Sequence, residues 1–229
     1  MTLGIMQPYF MPYIGYWQLM AAVDTYVVYD DVNYIKGGWV ARNNILMDGK
    51  PHMFTITLNG ASPNKLFNEI TIRDDFHKFR KMLHSCYARA PYFAEVMPEM
   101  DKIFAYENRN LGKFLFHSFQ VVLDYLDIDT RLILSSELEK DNTLHGGEKV
   151  KHICHLLGAD TYINAIGGQH LYDKDDFRQA GIALRFLQTN DISYSQWHYP
   201  FVANLSIIDV LMYNGKEGTR NLLKEYTLV

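Results

Sequence analysis

Residues 3–29 read LGIMQPYFMPYIGYWQLMAAVDTYVVY, and the fold is decided there. Leu3-Gly4-Ile5-Met6 is a short apolar run closed by Gln7-Pro8, the pattern of a parallel strand buried on both faces. After a loop at 8–12, residues 13–22 read as a helix. Pro12 suits its first turn, where a missing N–H breaks no hydrogen bond. Asp24 closes the helix, and Thr25-Tyr26-Val27-Val28-Tyr29 is rich in strand formers. Strand, helix and strand in so short a span make a parallel crossover, which is nearly always right-handed.

Outward from that unit, residues 44–47 and 52–58 flank Asp48-Gly49-Lys50-Pro51. Asp-Gly between two such runs signals an antiparallel hairpin appended to the sheet. Residues 68–72 read as a further short strand. Phe76, Phe79, Met82, Leu83 and Cys86 recur at helical spacing, and further helices are expected at 91–106 and 111–126. The alternation then resumes, with strands at 131–134, 161–163 and 182–186 and helices at 148–157 and 174–180. Helices at 206–213 and 217–226 end the pattern, separated by Asn214-Gly215. Ser206 reads as an N-cap with Asp209 as its capping-box partner. The expectation is one α/β domain over 1–229: a mostly parallel, doubly wound, Rossmann-like sheet with an antiparallel hairpin and a helical insert over 74–127.

Composition narrows the function classes. The 22 Lys and Arg against 26 Asp and Glu leave no basic field of the kind a dedicated nucleic-acid binder carries, so no nucleic-acid partner is expected. Two cysteines, Cys86 and Cys154, make no disulfide framework and fit a reduced, cytoplasmic setting. No apolar run approaches the ~20 residues needed to cross a bilayer, so no membrane insertion is expected. Sixteen tyrosines exceed what a core requires, which places many hydroxyls at water or in a polar cleft.

Ligands of open parallel sheets settle beyond the carboxyl ends of the strands, which selects the loops at 7–16, 30–44, 135–149, 164–173 and 187–206. Gly15 lies near the start of the first helix, where free N–H groups and the helix dipole favour an anion; it serves equally to pack helix on strand. Gln7, Tyr13 and Tyr16 are its polar neighbours. The loop after the second strand carries Asp30, Asp31, Lys36, Arg42, Asn43 and Asn44 around Trp39. Asp30 and Asp31 suit Mg²⁺, while Lys36 and Arg42 suit phosphate; the plain alternative is a solvated loop whose charges pair with one another. His145-Gly146-Gly147-Glu148-Lys149 can bring backbone N–H groups and a lysine to the rim, or form a flexible turn. His152 and His155 stand one helical turn apart without a second ligand pair, and Cys154 is assigned to the core. P-loop, Gly-x-Gly-x-x-Gly and Gly-x-Ser-x-Gly motifs are absent.

These residues resemble the WbqC-like protein family of bacteria. The resemblance rests on Gln7-Pro8-Tyr9 with Pro12 and Gly15-Tyr16, Asp30-Asp31-Val32, Lys36, Trp39, Arg42-Asn43, Ser135-Ser136-Glu137-Leu138, Leu157-Gly158-Ala159, and 205–211 with Asn214-Gly215. It implies a setting in polysaccharide and O-antigen gene clusters, and hence amino-sugar or glycan tailoring. A weaker likeness is to nucleotidyltransferases with a His-x-Gly-His signature, including pantothenate synthetase. Tyr13-Ile14-Gly15-Tyr16 stands in that signature's place, with tyrosines for both histidines, so the likeness implies nucleotide binding rather than adenylyl transfer.

The expected function is a ligase or transferase that uses ATP or a sugar nucleotide to attach a small acyl or aminoacyl group to an amine. Asp30, Asp31, Lys36 and Arg42 carry its catalysis, Asp30 and Asp31 hold Mg²⁺ or act as base, and Gln7, Tyr13, Gly15, Tyr16 and Asn43 bind the nucleotide. The competing class is a non-catalytic glycan- or nucleotide-binding assembly protein.

Overall fold

The structure, a computed structural model, describes residues 1–229. It is a mixed α/β architecture around a mostly parallel six-stranded sheet. β1 (Thr2–Met6), α1 (Ile14–Ala21) and β2 (Thr25–Val28) form the expected crossover, and β1 and β2 pair in parallel with Ile5 opposite Val27. β7 (Arg131–Leu134) extends the sheet beyond β2, and β8 (Thr161–Ala165) pairs with the other edge of β1. β9 (Ala183–Thr189) continues outward in parallel, and β10 (Tyr226–Leu228) closes that side antiparallel. The order is therefore β10-β9-β8-β1-β2-β7. The chain grows away from β1 in one direction through β2 and β7, then returns to grow in the other through β8 and β9.

Side-chain alternation along the strands divides burial between two faces. Leu3, Ile5 and Val27 pack with Val150, Ile153 and Cys154 of α5 (Gly146–Leu157) and Phe177 of α6 (Lys174–Gln179). Tyr26 and Val28 face the larger cluster, which takes in α1, α2 (His77–Tyr87), α3 (Phe93–Phe104), α4 (Leu111–Tyr125) and α7 (Ile207–Leu222). Helices thus cover both faces. α4 is the piece that leads back into β7, and its Phe119 meets Tyr16 and Trp17 of α1 at centroid distances of 5.5 and 5.6 Å. No helix is long and apolar enough to cross a membrane.

Two expectations are corrected. The hairpin forms, as β3 (Arg42–Met47) and β4 (Lys50–Thr55), but it is a sheet of its own, like the small antiparallel pair β5 (Leu58–Asn59) and β6 (Thr71–Ile72), and not an appendage hydrogen-bonded to the main one. It is held instead by Ile45, Leu46 and Phe54, buried in the larger cluster. The last helix stops at Leu222, and Tyr226–Leu228 pairs with β9 where a helix to 226 was expected. The break between the closing helices does occur, at Gly215 with φ 59°. Cys154 is buried as expected, while His152 accepts the Asp141 N–H and His155 lies 2.8 Å from the Ala180 carbonyl.

The hairpin turn is fixed by conformation and by space. Asp48 and Gly49 both have positive φ, 50° and 73°, the twist that a two-residue turn needs to match its strands. A Cβ at Gly49 would lie 2.6 Å from the Tyr199 ring. Gly49→Ala is therefore expected to lower stability by about 1–2 kcal/mol from backbone conformation, with the clash added. An unchanged urea midpoint would contradict this placement of the turn.

Candidate functional site

Because five strands run parallel, the loops that leave their carboxyl ends meet along one edge of the molecule. Two clefts open there. The first, of about 580 Å³, lies beyond β2 and β7 and is lined by Tyr29, Asp31, Ser136, Lys140, His145 and Lys149, with Tyr172 from the segment after β8. The second, of about 350 Å³, is lined by Tyr9, Pro12 and Tyr13 after β1, Trp39 and Asn43 after β2, and Asn204 from the segment between β9 and α7.

Charge organises the first cleft. Asp31 takes an ion pair at 2.7 Å from Lys140 and a longer one at 3.4 Å from Lys149. Lys140 is buried and also donates to the Ser135 carbonyl. Burial pushes the Asp31 carboxyl pKa up, but the hydrogen bond and charge of Lys140 and the charge of Lys149 outweigh it. The net value lies below that of an ordinary carboxylate. Two lysines against one carboxylate leave the cluster cationic. Lys149 stands in the first turn of α5, whose N-terminal N–H groups have no side-chain cap, and its ammonium also lies 5.2 Å from the centre of the Tyr29 ring. The helix dipole adds to the attraction for an anion.

The other expected residues divide sharply. Asp30 faces away from the cleft, 1% exposed: its two oxygens accept the Ser136 N–H at 2.9 Å and the Ser136 hydroxyl at 2.7 Å. Burial raises its pKa, and the Ser136 bonds oppose the rise. Asp30 and Asp31 are thus each engaged by different partners and do not converge on a cation, so the pair does not fit the expected Mg²⁺ site. No group of three or more His, Cys, Asp or Glu is placed to hold a metal elsewhere.

Tyr13 and Asn43 do line a cleft, the aromatic one, where the Asn43 amide is fixed by donating to the Met11 carbonyl at 2.7 Å. Arg42 acts one step back. It donates to the Gly37 carbonyl and sets its guanidinium 5.5 Å from the centre of the Trp39 ring, bracing that wall. Lys36 is exposed and lines neither cleft. Gln7 also lies outside both, and its carbonyl accepts the Tyr16 hydroxyl at 2.8 Å. Tyr16 is 2% exposed, and a Cβ at Gly15 would sit 2.6 Å from the Thr189 hydroxyl. Both serve the packing of α1 on the sheet, the alternative already open for Gly15.

A model of the WbqC-like protein family matches residues 7–221. The chain belongs to that family. This WbqC-like chain is 27% identical over 222 residues to the uncharacterized protein Rv1507c of Mycobacterium tuberculosis, covering 94% of each. No solved structure matches it. The matched span includes both clefts, and among the lining residues not singled out in sequence are Lys140, Asn68 and Asn204, which carry no motif. Lys149 had a local signal, the glycine pair opening its helix.

Asp31→Asn strips the cationic cleft of its counter-charge and is expected to cost about 3 kcal/mol, because a charge within a buried pair is left uncompensated. The native pKa of Asp31 is depressed, so its stabilisation is fully present above the ordinary carboxylate value of ~4. It is lost as pH falls through the lower native value. Urea midpoints of the native and Asp31→Asn proteins should therefore converge on acidification, whereas a gap independent of pH would contradict the pairing.

Proposed function

We propose that this chain is a transferase or ligase of Rossmann-like design that seats the phosphates of ATP or a sugar nucleotide in the cationic cleft. The nucleotide's ring lies in the aromatic cleft, and a small acyl or aminoacyl group passes to an amine. The observation that carries the reading is Lys149: a lysine only 7% exposed, in the uncapped first turn of α5, beside a second buried lysine at the carboxyl edge of a parallel sheet. Burial strengthens what these charges do to a bound anion, since little water screens them. Tyr9, Tyr13 and Trp39 offer flat faces, and the Asn43 and Asn204 amides offer donors and acceptors for a base or sugar.

The reaction itself asks little covalent chemistry of the protein. With ATP, the carboxylate oxygen of the acyl group first attacks phosphorus, and ADP or pyrophosphate leaves. The amine nitrogen then bonds to the acyl carbon, the bond from that carbon to the phosphorylated oxygen breaks with its electron pair, and the nitrogen gives up a proton. Asp31 is a poor acceptor for that proton, because the lysines hold it ionised with a depressed pKa. In this reading His145, an imidazole lining the cleft at the start of α5, receives it. The Asp30–Asp31 pair enters no metal step. The amino-sugar setting implied by the family resemblance supplies an amine of the required kind.

Thermal denaturation with ATP, UDP-glucose or inorganic phosphate tests the reading. A ligand at a hundredfold excess over its Kd stabilises the fold by about 2.7 kcal/mol. A nucleotide or sugar nucleotide should raise the melting temperature of the native protein, and Lys149→Ala should abolish most of that rise. A Lys149→Ala protein that responds like the native one, or a native protein that responds to neither nucleotide, would refute it.

A further inference from the structure

A third cavity of about 380 Å³ lies between the hairpin tip, the C-terminal turn of α2 and the segment 197–199. Its volume falls within the ~300–1,000 Å³ of small-molecule sites. Trp197, His198, Tyr199 and Tyr213 supply aromatic faces, Asp48 a carboxylate and Arg89 a guanidinium, and none of these lines either rim cleft.

This wall is built with care. Trp197 is 46% exposed yet holds φ at 58°, a region that bulky residues rarely occupy. Such a conformation persists only where its surroundings dictate it, and such residues cluster at ligand sites. Here the preceding Gln196 is 1% exposed and fully used. Its amide oxygen accepts the Val202 N–H at 2.6 Å, and its amide nitrogen donates to the Val202 carbonyl at 3.1 Å and to Asp209 at 2.7 Å. Asp209 is completely buried and also accepts the Tyr87 and Tyr194 hydroxyls, each at 2.8 Å. A buried carboxylate with three side-chain donors thus anchors the segment that presents Trp197, while Tyr199 closes against Gly49 at the hairpin tip.

We infer that this cavity is a second binding site, one for an uncharged saccharide ring. The charges disfavour a simple anion or a simple cation. A phosphate would meet Asp48 and an ammonium would meet Arg89, whereas sugar hydroxyls donate to a carboxylate and accept from a guanidinium in the same site. The apolar C–H face of the ring lies against Trp197. This assignment is independent of nucleotide binding at the rim.

Saturation-transfer NMR with the methyl glycosides of D-glucose, D-galactose, N-acetylglucosamine and L-rhamnose tests it on the full chain. At least one should bind the native protein, and Trp197→Ala should weaken that binding about tenfold or more. Asp48→Asn, which keeps a residue tolerant of the left-handed turn, should weaken it as well. Trp39→Ala, in the aromatic rim cleft, should leave it unchanged, and nucleotide stabilisation should survive Trp197→Ala. The inference is overturned if no glycoside binds, if folded Trp197→Ala and Asp48→Asn proteins bind as the native one does, or if Trp39→Ala alone removes binding.

Discussion

The molecule depends on β1 having a parallel partner on each side. β2 and β8 both run beside it, and the chain's direction of growth reverses across it. Strands that point one way deliver all their following loops to one edge, so residues from distant parts of the sequence meet without any of them seeking the others. The opposite edge is fastened. There the Met1 ammonium pairs with Asp160, and the Thr2 N–H and hydroxyl both donate to Asp24. These contacts lie at the amino ends of the strands, and the two rim clefts open at their carboxyl ends.

The adjacent residues Asp30 and Asp31 show how position within that edge decides what a side chain can do. Asp30 turns inward and is consumed by Ser136, tying the end of β2 to the segment after β7. Asp31 turns toward the cleft and holds two lysines that would otherwise repel each other. The same chemical group is a fastening in one case and a counter-ion in the other. Together they place a cationic surface, more than an acidic one, at the start of α5.

Local chemistry made much of the fold readable. The β1–α1–β2 unit was legible because a doubly buried strand, a helix and a strand each leave their own pattern within a few residues, and Asp48-Gly49 fixed the hairpin turn. β10 was not, since Tyr226-Thr227-Leu228 follows a helix without a turn signal and becomes a strand only by pairing with β9. Asp209 fits a capping box by spacing, yet the Ser206 N–H goes to the Asn44 carbonyl, and Asp209 turns to Tyr87, Tyr194 and Gln196. The cationic cleft was half visible. Asp31 was read as a site residue and Lys149 as a rim residue, but their pairing spans 118 positions and only tertiary structure creates it. Lys36 and Gly15 stand where their positions in the sequence put them, after β2 and at the start of α1, but Lys36 is exposed to solvent and Gly15 packs against Thr189.

Amide NMR of the chain during titration with a nucleotide or sugar nucleotide bears most directly on the central claim that the rim of this sheet receives a phosphate. Gly146 and Gly147 should show the largest shift changes, with Lys149 and Asp31 following at the same ligand concentration. Saturable binding that leaves the first turn of α5 unmoved would contradict the account.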